Sequence, residues 1–121
     1  MKNILVIDDN EHILKMMCAL LNRSGYTVFS AMNGVQGLKA YYAHTPDLVI
    51  TDLIMPDKEG LEVIMELTRQ EPRPKIIAIS GEGRMGPQSY LPMADALGAD
   101  HVLEKPFHPD ELMDSVERLL A

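Results

Sequence analysis

Tryptophan is absent from the 121-residue chain, and 2 phenylalanines and 4 tyrosines supply all of its other aromatic rings apart from histidine. So few rings offer no base-stacking platform of the kind that single-stranded nucleic-acid binders use. A lone cysteine, Cys18, excludes an intrachain disulfide framework and fits a reducing compartment. It lies in an apolar stretch with helical spacing, which reads as a small buried residue rather than a reactive thiol. Basic charge is scarce too: 11 Lys and Arg stand against 18 Asp and Glu, for a formal charge of −7. That balance argues against binding a nucleic-acid backbone or docking on anionic lipid, both of which need clustered cations. No apolar run approaches the ~20 residues of a membrane span. The start, Met1-Lys2-Asn3-Ile4-Leu5-Val6-Ile7-Asp8, turns acidic too early for a signal peptide. The expectation is a soluble cytoplasmic domain, with no nucleic acid and no membrane among its partners.

What is present is ordinary globular material, 46% apolar and 24% charged, in a length that suits one domain over residues 1–121. Short apolar runs alternate with longer helical patterns. Residues 4–7 form the first strand-like run. After Asp8-Asp9-Asn10, the positions Ile13, Leu14, Met17, Leu20 and Leu21 repeat at helical spacing until Ser24-Gly25. Residues 26–31 read as a second strand, and Asn33-Gly34 leads into a helix reaching about His44. Thr45-Pro46-Asp47 punctuates the chain before a third strand at 48–52. Leu61, Ile64, Met65 and Leu67 mark a helix that stops near Pro72 and Pro74, and residues 75–80 make a fourth strand. A Gly- and Pro-bearing stretch at 81–87 precedes a short helix at 90–97, with Gly98 as its stop. Residues 100–104 are the fifth strand. From Pro109 a final helix carries Leu112, Met113, Val116, Leu119 and Leu120 on one face.

Five strands alternating with five helices imply a doubly wound α/β domain, a parallel sheet covered on both faces. No internal repeat or low-complexity tract interrupts it. In such a sheet the functional crevice lies at the carboxyl ends of the strands. Strand one ends at Asp8-Asp9, strand three at Asp52, strand four at Ser80 and strand five just before Lys105-Pro106. Each residue has a plain structural use: Asp8, Asp9 and Asn10 as helix caps, Asp52 in a turn, Ser80 as a loop hydroxyl, Lys105 as a solvated charge. Together they fit one chemistry. Crowded carboxylates raise one another's pKa unless a cation sits among them. A site of few oxygen ligands suits Mg²⁺, which keeps several waters and accepts phosphate oxygens. Carboxylates also serve as nucleophiles that form aspartyl phosphate, and a metal, a lysine and a hydroxyl can hold the oxygens of a phosphoryl group in transfer. The cluster reads as an Mg²⁺-assisted phosphoryl-transfer site with a carboxylate acceptor.

Val6-Ile7-Asp8-Asp9, Asp52 followed by Met55-Pro56 and Gly60, Ser80-Gly81 and Lys105-Pro106-Phe107 resemble, in order and spacing, the motif set of bacterial response-regulator receiver domains. The resemblance spans essentially the whole chain. It implies a flavodoxin-like sheet of strand order 2-1-3-4-5 and a protein of two-component signalling, similar to the stand-alone chemotaxis regulators. It implies Asp52 as phosphoacceptor, with Asp8, Asp9, Asp52 and the backbone carbonyl of Ile54 around Mg²⁺. Ser80 would bond a phosphoryl oxygen, Lys105 would pair with the phosphoryl group, and the Lys105-Pro106 bond would be cis. The phosphodonor would be a sensor histidine kinase or a histidine phosphotransfer protein, and the output would be binding to a downstream protein. Such a domain is not an enzyme in the usual sense, catalysing only its own phosphorylation and dephosphorylation. The family's readout surface maps onto residues 90–97 and 100–119 here.

Two features depart from the family pattern. The position three residues before the lysine, usually Tyr or Phe, is Val102, which has no ring to swing inward. His101 beside it is expected to face the other way on the strand. The loop 81–87 is longer and richer in glycine than usual, and is expected to be mobile, with Arg84 and Met85 as contact residues. Glu82 and Ile54 occupy positions that tune phosphoryl lifetime in the family. Gly81, Gly83 and Gly86 also spell G-x-G-x-x-G, the signature of a dinucleotide-binding domain, but that fingerprint belongs after the first strand. An Asp-nucleophile phosphatase usually carries a second acid two residues after its nucleophile, where this chain has Ile54. A pure interaction module that has lost phosphorylation is disfavoured by the complete site. His12, His44 and His108 lack metal-ligand spacing and are expected at the surface. The 9 methionines read as core filler, with Met93 and Met113 as contributors to an adaptable partner surface.

Overall fold

The computed structural model describes residues 2–53, 60–80 and 98–121. In chain order these form β1 (Asn3–Ile7), α1 (Glu11–Arg23), β2 (Thr27–Ala31), α2 (Gly34–His44), β3 (Leu48–Asp52), α3 (Gly60–Leu67), β4 (Lys75–Ser80), β5 (His101–Glu104) and α4 (Pro109–Leu120). The strands build one parallel sheet in the order β2-β1-β3-β4-β5, the expected flavodoxin-like order. Four helices stand among the described residues. The helix expected at 90–97 and the glycine-rich loop at 81–87, with Arg84, Met85 and Met93, lie outside them.

Why the strands read as unbroken apolar runs is visible in the two layers they feed. Leu5 and Ile7 of β1 join Val49 and Ala78 under α2 and α3, against Leu38, Tyr41, Val63, Ile64 and Leu67. The alternate residues Ile4 and Val6 join Leu48, Ile50, Ile77, Ile79 and Leu103 under α1 and α4, against Leu14, Met17, Leu21, Leu112 and Val116. A strand with a helix on each face is apolar where it meets them, and all five residues of β3 are buried, with only Thr51 and Asp52 at the rim end polar. Leu48, Val49 and Ile50 each contribute about 1.5–3 kcal/mol on burial, which anchors β3 up to its two polar rim residues. One helix position differs from expectation: Met65 is exposed, and Val63 takes the inward place on α3.

The helix ends follow local chemistry. Asn10 Oδ1 accepts the Ile13 N–H at 3.2 Å, and Asn33 Oδ1 accepts that of Gln36 at 2.8 Å, so both asparagines are N-caps. His108 caps α4: its Nδ1 accepts the Asp110 N–H at 3.1 Å, while Glu111 Oε1 accepts the His108 N–H at 2.9 Å. His12, His44 and His108 are all exposed, as expected, but only the structure reveals this capping role. At the end of α1 the chain reverses through Gly25, whose φ of +96° suits glycine.

Candidate functional site

Four of the five strands deliver polar groups to the carboxyl rim of the sheet: β1 leads into Asp8 and Asp9, β3 ends in Asp52, β4 ends in Ser80 and β5 leads into Lys105. The Asp8 N–H continues the β1–β2 ladder to the Ala31 carbonyl at 3.1 Å, so the residue is held by the sheet. Its side chain is fully buried, and Oδ1 accepts the Asn10 N–H at 2.8 Å, turning the chain toward α1. Asp9, next along, is exposed. Asp52 is the last residue of β3 and only 4% exposed. Lys105 follows β5, its N–H donating to the Ser80 carbonyl at 2.9 Å. The bond between Lys105 and Pro106 is cis, as the resemblance implied.

These placements converge on one ammonium. Lys105 Nζ lies 3.0 Å from Asp8 Oδ2 and 3.0 Å from Asp52 Oδ2, in a setting where its side chain is 13% exposed. Burial pulls its pKa down, but the charge and hydrogen bond of Asp52, joined by Asp8, outweigh that and raise it. Lys105 is therefore a fixed positive charge. Asp8 moves the other way from a typical paired carboxylate. Burial raises its pKa, and the neighbouring Asp52 charge adds to that; the Asn10 N–H and Lys105 oppose the rise without cancelling it.

One oxygen from each of Asp8, Asp9 and Asp52 can be chosen so that all three lie within 4.8 Å of one another. Three carboxylates and one ammonium leave two negative charges, which one divalent cation cancels. Mg²⁺ takes oxygen ligands at about 2.0–2.1 Å, so opposite ligands stand about 4 Å apart. The span of the cluster, within 4.8 Å, is close to that separation. Asp8 Oδ2 is buried with the Lys105 ammonium 3.0 Å away, and the buried Ser80 Oγ has no hydrogen-bond partner among the described residues. A buried carboxylate oxygen that shares its ammonium with a second acid, and a buried hydroxyl without a partner, are groups that a cation and an anionic ligand would satisfy. The residues present thus fit the metal. Ile54, whose carbonyl was expected as a further ligand, lies outside the described residues.

Among residues whose part in the site spacing could not show, Gly60 stands out. It opens α3, and its N–H donates to the Leu53 carbonyl at 3.0 Å. A Cβ there would collide with the Asp52 carbonyl oxygen and the Leu53 Cα, so only glycine lets α3 start against the backbone of Asp52. Its presence among the quoted motif residues was the one signal of this role. Val102 is half-buried and packs on the α2–α3 side of the sheet. His101 faces the opposite side, as expected, and its Nδ1 accepts from Arg118 of α4 at 3.0 Å.

A doubly wound sheet with a lysine-bridged acid cluster at its carboxyl rim is the architecture of a phosphoryl-accepting signalling domain. Residues 4–117 match the family model of the response regulator receiver domain, and the chain belongs to that family. Phosphorylation in two-component relays and Mg²⁺ binding at an acidic pocket are general features of its members, which act as signalling domains with histidine kinases or phosphotransfer proteins and downstream targets. The chain is 34% identical over 119 residues to the alkaline phosphatase synthesis transcriptional regulatory protein PhoP of Bacillus subtilis, covering 98% of this chain and 48% of PhoP. It thus spans about half the length of that relative. It is 32% identical to the chemotaxis protein CheY of Bacillus subtilis, covering 97% of this chain and 96% of CheY. The crystal structure of a response regulator from Chloroflexus aurantiacus superposes with a TM-score of 0.89 at 26% identity, covering 98% of this chain and 97% of that one. Among the described residues no helix is long and apolar enough to cross a membrane.

Proposed function

We propose that Asp52 is the phosphoacceptor of this receiver, taking a phosphoryl group from a phosphohistidine of a kinase or phosphotransfer protein. The observation that carries the reading is Lys105 Nζ set 3.0 Å from both Asp8 and Asp52 inside a three-carboxylate cluster. A carboxylate oxygen of Asp52 attacks phosphorus, an O–P bond forms as the P–N bond to the donor imidazole breaks, and the imidazole leaves with a proton. Hydrolysis by water later returns the Asp52 carboxylate and inorganic phosphate, so the domain catalyses only steps on itself. Asp8, Asp9 and Asp52, with the Ile54 carbonyl, would hold Mg²⁺, which supplies charge neutralisation at the phosphoryl oxygens. Lys105 exchanges its contact with the Asp52 carboxylate for one with a phosphoryl oxygen, keeping a charge-assisted bond throughout. The Ser80 hydroxyl donates to another phosphoryl oxygen and gains the partner it lacks among the described residues. Phosphate then adds about −1.5 to −2 of charge at the rim and biases a two-state equilibrium that a downstream protein reads.

Neither a dinucleotide-binding domain nor a phosphatase is favoured. The first conflicts with acids where its glycines belong, and the second with isoleucine at position 54. Incubation with acetyl phosphate and Mg²⁺, followed by intact mass, is the test. One added phosphoryl group on the wild type and none on Asp52→Asn is expected; equal labelling of both proteins refutes the assignment.

A further inference from the structure

The amino ends of the strands carry a second concavity, unrelated to the acid cluster. A cleft of about 300 Å³ opens where the chain enters β3 and β4, with Tyr41, Tyr42, Thr45, Asp47, Glu71 and Arg73 among its walls. The five residues of β3 separate it from Asp52 by about 16 Å.

One wall is a ring held in place. Tyr42 is 52% exposed, yet its hydroxyl donates to Glu66 Oε2 at 2.7 Å and accepts from Gln70 Nε2 at 3.2 Å. It also meets the buried Tyr41 edge-on, with centroids 5.3 Å apart. An exposed aromatic surface fixed in advance offers contact without an ordering cost on binding. The charge in the cleft is one-sided. Arg73, its one basic side chain among the described residues, is already engaged: Nη1 bonds Asp100 Oδ2 at 3.0 Å and the Pro74 carbonyl at 3.2 Å, and Nη2 donates to the Gly98 carbonyl. Asp47 and Glu71 are both exposed, so they leave the cleft negative. Asp47 Oδ2 accepts the Asn3 N–H at 2.9 Å, which uses one of a carboxylate's roughly four acceptor positions. The turn between these walls is strained: Thr45, a β-branched residue, sits at φ +41°. That conformation costs about 1–2 kcal/mol, and strain of this kind concentrates at binding sites.

We propose that this cleft binds a guanidinium group on a chain the length of one arginine side chain. The guanidinium plane stacks on Tyr42, and Asp47 and Glu71 accept its N–H donors. A planar cation suits this site better than a compact ammonium because it can lie on a ring and present its donors edgewise to carboxylates at the same time. The source is either an arginine of a partner protein or a free small guanidinium compound.

The test is backbone amide NMR on the full chain, titrated with N-acetyl-arginine amide, with a Gly-Arg-Gly peptide amide and with the uncharged N-acetyl-norleucine amide. Both arginine probes are expected to shift the amides of Thr45, Asp47, Gln70 and Arg73, and the norleucine probe to leave them unmoved. Tyr42→Leu is expected to weaken binding roughly two- to fivefold. Glu71→Gln, at an exposed position, is expected to weaken it as well. Tighter binding of the peptide assigns the site to a partner protein, and equal binding assigns it to a free small cation. Absence of shifts with either arginine probe, equal shifts with norleucine, or unchanged affinity in both variants overturns the proposal.

Discussion

The burial of Asp8 beside Asp52 sets a local conflict between folding and binding. A carboxylate whose pKa is raised in the fold holds its proton more tightly there than in the unfolded chain, so its ionised form opposes folding at neutral pH. Asp8→Asn keeps an oxygen for the Asn10 N–H and leaves Lys105 paired with Asp52. Without Mg²⁺ it is expected to stabilise the protein by on the order of 1 kcal/mol at pH 7. That gain shrinks as pH falls through the raised value toward 3.8, where the wild-type residue is itself neutral. Urea unfolding at several pH values measures both effects, and the same variant should lose most of its Mg²⁺ affinity. His101 supplies a second, independent pH dependence. Burial, and then the adjacent Arg118, lower its pKa from 6.5, so the unfolded chain binds the proton more tightly. Its contribution to stability is present above 6.5 and is lost as pH falls from there through the lowered folded value. Subtracting the pH profile of His101→Gln from that of the wild type should isolate a loss confined to that range; identical profiles contradict it.

At the scale of elements, two glycines that resemble each other in sequence do different work. Gly25 ends α1 at positive φ with nothing within 4 Å of the place a methyl group would take, so Gly25→Ala is expected to cost about 1–2 kcal/mol of stability through backbone strain alone. Its phosphorylation rate should be unchanged. Gly60→Ala forces the start of α3 off the Asp52 carbonyl; it should cost about 1–3 kcal/mol and also slow phosphorylation at saturating Mg²⁺. Paired thermal and phosphorylation measurements separate the two roles. The same contrast explains what the sequence could disclose. Continuous apolar runs identified the strands because burial on both faces forbids alternation, and the acids at their ends followed from chain order alone. The caps Asn10 and Asn33 were local and readable. The closeness of Gly60 to Asp52, the bridge from Lys105 to Asp8, and the tie from Arg73 to Asp100 join residues far apart in the chain, and no periodicity encodes such meetings. Met65 was misplaced for a smaller reason: α3 has apolar residues around more than one face, so spacing alone did not choose between Val63 and Met65.

For the molecule as a whole, the formal charge of −7 makes cation binding a matter of stability as well as chemistry. Mg²⁺ that binds the folded state alone should stabilise it by about 2.7 kcal/mol at a hundredfold excess over its dissociation constant, and so raise the melting temperature with the logarithm of its concentration. The increment should vanish in Asp9→Asn and Asp8→Asn, and a rise of equal size in those variants would place the ion elsewhere. Two backbone bonds then tie the chemistry to the body of the sheet. The Leu53 N–H donates to the Ile79 carbonyl, and the Lys105 N–H to the Ser80 carbonyl, each at 2.9 Å. Asp52, Ser80 and Lys105 are thus mounted on a single crossbar running over three strands. On the proposed reading, a phosphoryl group on Asp52 would therefore press on all three mounts at once, as a load on a beam rather than on a lone side chain.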